Sequence, residues 1–124
     1  MTRIAHSNSI PISVEYLGLN EWAVRWDVQI DDTKQREDGM TDDDTVHYVY
    51  NEEVYYEKPN YGLFVTNRIR EVYSKDEEDA LKSNMITASV NPDDPKSQER
   101  LMEWEAFEQV RKEAKAFGKQ IFIE

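Results

Sequence analysis

The side chains with the most obvious chemical potential belong to an acidic stretch over residues 31–45, with seven acidic and two basic residues. Its carboxylates include three consecutive aspartates, Asp42, Asp43 and Asp44. Carboxylate oxygens are the ligands that Ca²⁺ prefers. A calcium-loop register fails, however, because placing Gly39 at the sixth position puts Lys34 and Arg36 at ligand positions. We therefore predict a solvated acidic loop and no metal site, with weak, nonspecific binding of divalent ions as the alternative.

The residue types and their spacing give little support for a catalytic site. His47 lies among tyrosines and acidic residues, but general acid–base catalysis needs a second positioned group and a pocket that shifts a pKa. The four glycines are scattered singly, so no phosphate-binding loop is present, and the absence of cysteine excludes thiolate nucleophiles and thiolate metal ligands. The sequence predicts no catalytic residue and no cofactor, and hence a protein that is not an enzyme.

The charge balance narrows the classes of partner. The net charge is −11, and residues 1–60 hold 13 acidic residues against 5 basic ones. Such a surface repels a phosphate backbone, which argues against direct nucleic-acid binding. It leaves open an acidic mimic of nucleic acid that blocks a DNA- or RNA-binding host protein. No long apolar run or signal segment is visible, so we expect a cytoplasmic protein without membrane contact.

The elements that position these residues begin with an alternating stretch from Trp22 to about Asp31. A strand there has a period of two, which places one set of residues on one face: Trp22, Val24, Trp26, Val28 and Ile30. The other face receives Ala23, Arg25, Asp27 and Gln29. Two tryptophans on one face need a broad apolar cover, which we expect from the helical second half.

Two further strands are predicted around this one. Residues 10–17 alternate before turn chemistry at 18–21, and residues 46–56 alternate after the acidic loop. Residues 1–9 are polar and are predicted to form a flexible N-terminus. The β region is thus expected at residues 10–58.

Helical periodicity takes over at residues 61–117. Thr66 or Asn60 can cap the first helix, Ser74 and Glu77 match a capping box, and Asp94-Pro95 is a start signal for the last helix. Gly118 is predicted to end that helix, leaving residues 119–124 as a short strand or tail. The fold class is α+β: a single domain over residues 1–124, with about three antiparallel strands packed against two or three C-terminal helices.

Tyrosines in and after the third strand exceed what one small core needs, so some are expected at the surface, where tyrosine favours protein contacts. The candidate interaction surface combines them with polar residues of the second and third strands and the acidic loop. Its members are Arg25, Asp27, His47, Tyr48, Tyr50, Tyr55, Tyr56, Asp42, Asp43 and Asp44.

Several short pieces carry a family resemblance: Trp26-Asp27, residues 48–50, 65–69 and 72–74, residues 78–81 with Asn84, and Trp104 with residues 111–115. In this spacing the chain resembles small uncharacterised proteins carried by phages and prophages of gut Bacteroidetes. The resemblance implies an accessory, assembly or virion protein of α+β type, in the host cell or in the virion. The function expected from the sequence is therefore a non-enzymatic interaction or assembly module whose partner is a protein, including a second copy joined through a strand edge.

Overall fold

The computed structural model describes residues 1–31 and 46–122 of the chain. These residues form a four-stranded antiparallel sheet and three helices, which confirms the α+β class. They divide into two compact units, residues 1–59 with the sheet and residues 60–124 with the helices. In the described part of the chain, no helix is both long and apolar enough to cross a membrane.

The sheet contains β1 (Arg3–Ser7), β2 (Val14–Gly18), β3 (Glu21–Ile30) and β4 (Tyr48–Tyr55), in the spatial order β1-β4-β3-β2. β3 and β4 are the central pair, and β3 contains the alternating stretch that begins at Trp22. β1 and β2 are the two edges. The segment that joins them, residues 8–13, leads from one edge of the sheet to the other.

β1 corrects the expectation of a flexible N-terminus at residues 1–9. Arg3 pairs in register with Glu52 and Ser7 with Tyr48, so the strand adds to the open side of β4. An edge strand needs little apolar burial, so the sequence of β1 is polar and lacks the alternating apolar residues that predict a strand. Side-chain bonds from Arg3 to Glu52, described below, help to hold it in place.

A β-bulge in β3 corrects the predicted faces of that strand. Trp26 pairs with Asn51 and Gln29 with Val49, so three steps along β3 match two steps along β4. Asp27 takes a left-handed φ of 56° at this point, which aspartate tolerates better than most residues. An extra residue reverses the alternation, so Ile30 falls on the face opposite to Trp26. Trp26 is buried, whereas Ile30 is exposed.

The helical unit contains α1 (Tyr61–Val72), α2 (Lys75–Val90) and α3 (Ser97–Phe122). Of the two caps considered for α1, Asn60 is the one used: its side chain accepts from the backbone N–H of Leu63 at 2.9 Å. The capping box of α2 is present, with reciprocal bonds between Ser74 and Glu77. These ends follow directly from local side-chain chemistry.

The core of the helical unit joins α1 to α3. Its buried members are Val65, Ile69, Phe107 and Ala114, and the half-buried side chains of Tyr61, Tyr73, Leu81 and Trp104 pack against them. The Phe107 ring lies 5.2 Å from both the Tyr73 and the Trp104 ring centroids.

Gly118 lies inside α3 and does not end it. The predicted strand or tail after Gly118 is therefore wrong for residues 119–122, which continue the helix. A Cβ at Gly118 would stand 2.9 Å from the Tyr61 ring and 3.1 Å from Val65. The glycine is present because two helices approach closely there, a reason that only the tertiary structure reveals. Phe122 continues the helix, and its ring centroid lies 5.9 Å from that of Phe64.

Candidate functional site

A row of four alternating charges crosses one face of the sheet, with one residue from each strand. In spatial order the row, which we call the charged row, is Arg3, Glu52, Arg25 and Glu15. Arg3 Nε donates to Glu52 Oε1 at 2.7 Å, and Arg25 Nε donates to Glu52 Oε2 at 2.7 Å. Arg25 Nη1 then donates to Glu15 Oε1 at 2.6 Å. Direct pairing of Arg3 and Arg25 with Glu52 in the strand register brings these side chains to the same face.

The middle of the charged row is withdrawn from water. The Glu52 side chain is 7% exposed and that of Arg25 is 13% exposed. Burial by itself raises the pKa of Glu52, but hydrogen bonds and charge from Arg25 and Arg3 outweigh it and hold that pKa below its ordinary value. Burial likewise acts to lower the pKa of Arg25, and bonds to Glu52 and Glu15 reverse the sign and raise it. Both groups are therefore held in the charged form by each other.

Arg25 therefore helps to stabilise the sheet. It also donates to the backbone carbonyl of Ile12 at 3.2 Å, which ties the segment before β2 to the same face. That Arg25 contributes to an interaction surface stays a prediction; its Nε and Nη1 groups are bonded within the sheet unit, and its side chain is 13% exposed. Asp27, at the bulge, is exposed and accepts a bond from the Gln29 side chain at 3.1 Å.

The tyrosines of the candidate surface divide between the core and the surface. Tyr50 and Tyr55 are 7% and 4% exposed, so their prediction as surface residues is wrong. The reason is the order of the strands: β4 lies between β1 and β3, and a central strand buries more than an edge strand does. Tyr48 and His47 are half-buried, and Tyr56, just beyond the strand, is exposed.

Residues 32–45 of the acidic loop, including Asp42, Asp43 and Asp44, lie outside the described residues. Within residues 1–31 and 46–122, no three histidine or acidic side chains come together in a way that could hold a metal ion. Two surface grooves, of about 530 and 570 Å³, run along α3 and are lined by that helix and the turn before it. They carry mixed charges on one helix rather than groups converging from several elements.

The most unusual surface is the edge of the sheet formed by β2. Exposed apolar side chains follow one another here on the strand, on the segment before it and in the turn after it; we call them the apolar edge, and they are Ile10, Ile12, Tyr16, Leu17 and Leu19. Ile10 and Ile12 are 71% and 61% exposed, and Leu19 is 92% exposed. No lysine or arginine occurs between Arg3 and Arg25 to shield them.

The turn at the end of β2 displays Leu19. Gly18 pairs with Glu21, so the predicted hairpin is confirmed and its loop is only two residues long, Leu19 and Asn20. Both have positive φ, 53° and 63°, as a two-residue turn of type I′ requires. Asparagine suits that conformation and leucine does not. The centroid of the Tyr16 ring lies 4.9 Å from that of the Trp22 ring across the hairpin, next to the turn.

The sequence showed the turn but not the importance of its residues. A leucine between glycine and asparagine in a turn is a visible signal, because a two-residue turn usually carries small or polar residues.

Comparison with protein-family models, with curated proteins and with solved structures found no match to this chain.

Proposed function

We propose that this chain is a non-enzymatic protein-interaction module that binds another polypeptide along its apolar edge. The observation that carries the proposal is the accumulation of exposed apolar side chains on one edge of the sheet. In keeping with the resemblance, we place it among accessory, assembly or virion proteins of phage or prophage origin, acting in the host cell or in the virion.

The two edges of the sheet differ in the way that this function requires. β1 carries the charged and polar side chains that commonly protect an edge strand from pairing, with Arg3 and His6 both exposed. β2 has a single charge, Glu15, which is bonded to Arg25. β2 is therefore the edge on which an added strand meets apolar side chains and little charge.

The protection that β2 does have limits the length of the contact. Pro11 cannot donate a backbone hydrogen bond, and the register shifts between Tyr16 and Gly18. An added strand would pair with residues 12–16, and Ile10, Leu17 and Leu19 would contact it on either side. Strand addition of this kind gains affinity from main-chain hydrogen bonds and specificity from side chains.

Site-specific photo-crosslinking tests this function without assuming the partner. A photoreactive benzoylphenylalanine replaces Leu17 on the edge, and in a matched control it replaces Gln109 on the exposed side of α3. Both proteins are produced in the cells that naturally encode the chain. We expect heavier adducts from position 17, a marked loss of these when Ile12→Lys is added, and none from position 109. Equal adducts from both positions, or none from position 17, would refute the function.

A further inference from the structure

The charges of α3 are separated along its length. Its first half, residues 97–108, has four acidic residues and one basic residue, a balance of −3. Its second half, residues 109–122, has four basic residues and one acidic residue, a balance of +3. The helix as a whole is therefore neutral in a chain whose net charge is −11. A second copy that approaches α3 meets little net repulsion from this helix.

The helix dipole does not account for the separation. Acidic residues near the start of a helix and basic residues near its end are favourable, but the effect falls off within the first and last turns. Glu105 and Lys112 lie in the middle of α3. Within the helix the separation is unfavourable, because like charges become neighbours at positions i and i+4. These like-charged neighbours are Glu99 with Glu103, Arg111 with Lys115, and Lys115 with Lys119.

One line of exposed residues follows α3 at alternating spacings of three and four. We call it the α3 seam, and its members are Gln98, Met102, Glu105, Gln109, Lys112, Ala116 and Lys119. It lies opposite the side of the helix that packs on α1 through Phe107 and Ala114. Met102 exposes 62% of its surface. In the part of the chain that the structure describes, Glu105 and Lys112 have no ion-pair partner.

Reversing the direction of the α3 seam matches it with itself. A two-fold axis at Gln109 places each residue opposite the one that lies equally far on the other side of the axis in the second copy. Met102 then meets Ala116, which gives an apolar contact. Glu105 meets Lys112 with an offset of one residue, about 1.5 Å along the helix. A parallel pair in register would instead place Glu105 beside Glu105 and Lys112 beside Lys112, which is unfavourable.

The acidic residue of the second half fits this arrangement as well. Glu113 projects to the flank of the α3 seam away from Glu105, because eight residues turn the helix by about 80° beyond two full turns. A two-fold axis brings the same flank of both copies together, and there Glu113 faces Ala106 of the second copy. Its carboxylate also accepts a bond from the Gln109 side chain at 3.4 Å.

We propose that two copies of this chain associate through the α3 seam, with the two helices antiparallel about a two-fold axis at Gln109. The acidic half of each helix lies along the basic half of the other. This surface is separate from the apolar edge, so the inference goes beyond the proposed function. Exposed ion pairs contribute little, and the dissociation constant is therefore on the order of 100 µM. Far below that concentration the chain is monomeric, so position 109 stays a silent control for photo-crosslinking in the cell.

Reversing single charges on the α3 seam tests the pairing. Sedimentation velocity up to about 1 mM measures the dimer. Glu105→Lys and Lys112→Glu should each weaken it on the order of tenfold, because each variant places like charges together. A mixture of the two variants should dimerise about as well as the unchanged protein, since each copy then meets opposite charges in the other. A monomeric mixture, or full dimerisation of both single variants, would refute the inference.

Lys82→Glu, at an exposed position on α2, is the matched control. It changes the net charge by the same amount as Lys112→Glu and should leave dimerisation unchanged. Circular dichroism at low concentration should show all of these variants folded, because the substituted side chains are exposed. If Lys82→Glu weakens the dimer as much as Lys112→Glu, and Glu105→Lys strengthens it, net charge governs the association and the inference fails.

Spin labels determine the direction of the helices. The chain has no cysteine, so Gln98→Cys carries a single label. In the antiparallel dimer the two labels are separated by twice the axial distance from Gln98 to Gln109, about 33 Å. In a parallel dimer they would be about 10 Å apart, the distance between packed helices. Double electron–electron resonance measures this distance, and the short value would overturn the proposed arrangement.

The apolar edge provides the test that separates this inference from the proposed function. Ile12→Lys should leave the dimer intact, because it lies on the sheet and not on α3. If Ile12→Lys abolishes the dimer while the charge reversals on α3 do not, the copies pair through the apolar edge and the inference fails. A monomer at every concentration up to about 1 mM also refutes the inference. Photo-crosslinks from position 17 would still support the proposed function in that case.

Discussion

Glu52 and Arg25 face each other across β4 and β3, with Arg25 Nε 2.7 Å from Glu52 Oε2. Arg3 of β1 binds the other oxygen of the same carboxylate. One glutamate thus connects an edge strand to both central strands, and Arg25 extends the connection to β2 through Glu15. The charged row thus links the four strands in their spatial order, because each residue is bonded to a charge partner in the neighbouring strand.

Removing Arg25 is expected to destabilise the sheet strongly. Arg25→Met keeps an unbranched side chain of similar length but leaves the buried Glu52 carboxylate with one arginine partner. Breaking a buried ion pair in this way costs about 3 kcal/mol in the free energy of unfolding, which urea titration measures. Arg111→Met, at the exposed pair with Glu108, should cost less than about 1 kcal/mol. Equal effects of the two substitutions would show that the charged row has no special weight.

The depressed pKa of Glu52 predicts how stability depends on pH. Arg25 and Arg3 hold that pKa below its ordinary value of 4.5, so the folded chain binds the proton less tightly than the unfolded chain. The stability from this group is fully present above pH 4.5 and is lost as the pH falls through the lower, folded pKa. Glu78, whose pKa the Arg70 hydrogen bond lowers, acts in the same direction. Glu52→Gln should flatten the fall in unfolding free energy below pH 4.5; an unchanged slope contradicts this.

Gly118 and Gly62 should respond to alanine with opposite signs. Gly118→Ala gains about 1 kcal/mol of helix propensity, but its Cβ would meet the Tyr61 ring at 2.9 Å. Overpacking of this kind costs about 1–3 kcal/mol, so we expect a net loss of stability. Gly62→Ala meets only Asn60 Oδ1 at an ordinary 3.5 Å and should stabilise by a few tenths to about 1 kcal/mol. Thermal unfolding of both variants provides the measurement, and equal signs would contradict the close approach of α1 and α3.

The capping box should account for a separate part of the stability of α2. Ser74→Ala removes the acceptor of the Glu77 N–H bond, which is 3.0 Å long, and should cost about 1 kcal/mol. Ser83→Ala, at an exposed position inside the same helix, supplies the matched control and should be neutral or slightly stabilising. Circular dichroism during urea unfolding gives both values. A comparable loss of stability in Ser83→Ala would show that the cap has no specific role.

The sequence alone determined the α+β class, the β2–β3 hairpin and the capping box that begins α2. These features depend on local chemistry: alternation with a period of two, turn residues and capping side chains. The tertiary structure decided the rest. β1 joins the sheet through a distant partner, and the bulge at Asp27 moves Ile30 away from the face of Trp26.

The candidate surface shows the same division for function. The sequence indicated tyrosines and charges as exposed, but burial depends on strand order, and strand order is set by pairing between distant segments. That order buried Tyr50 and Tyr55, engaged Arg25 in the charged row and left β2 at an edge. Leu19 could be read as a turn residue from its neighbours, whereas its exposure and left-handed backbone were decided only when β2 and β3 paired.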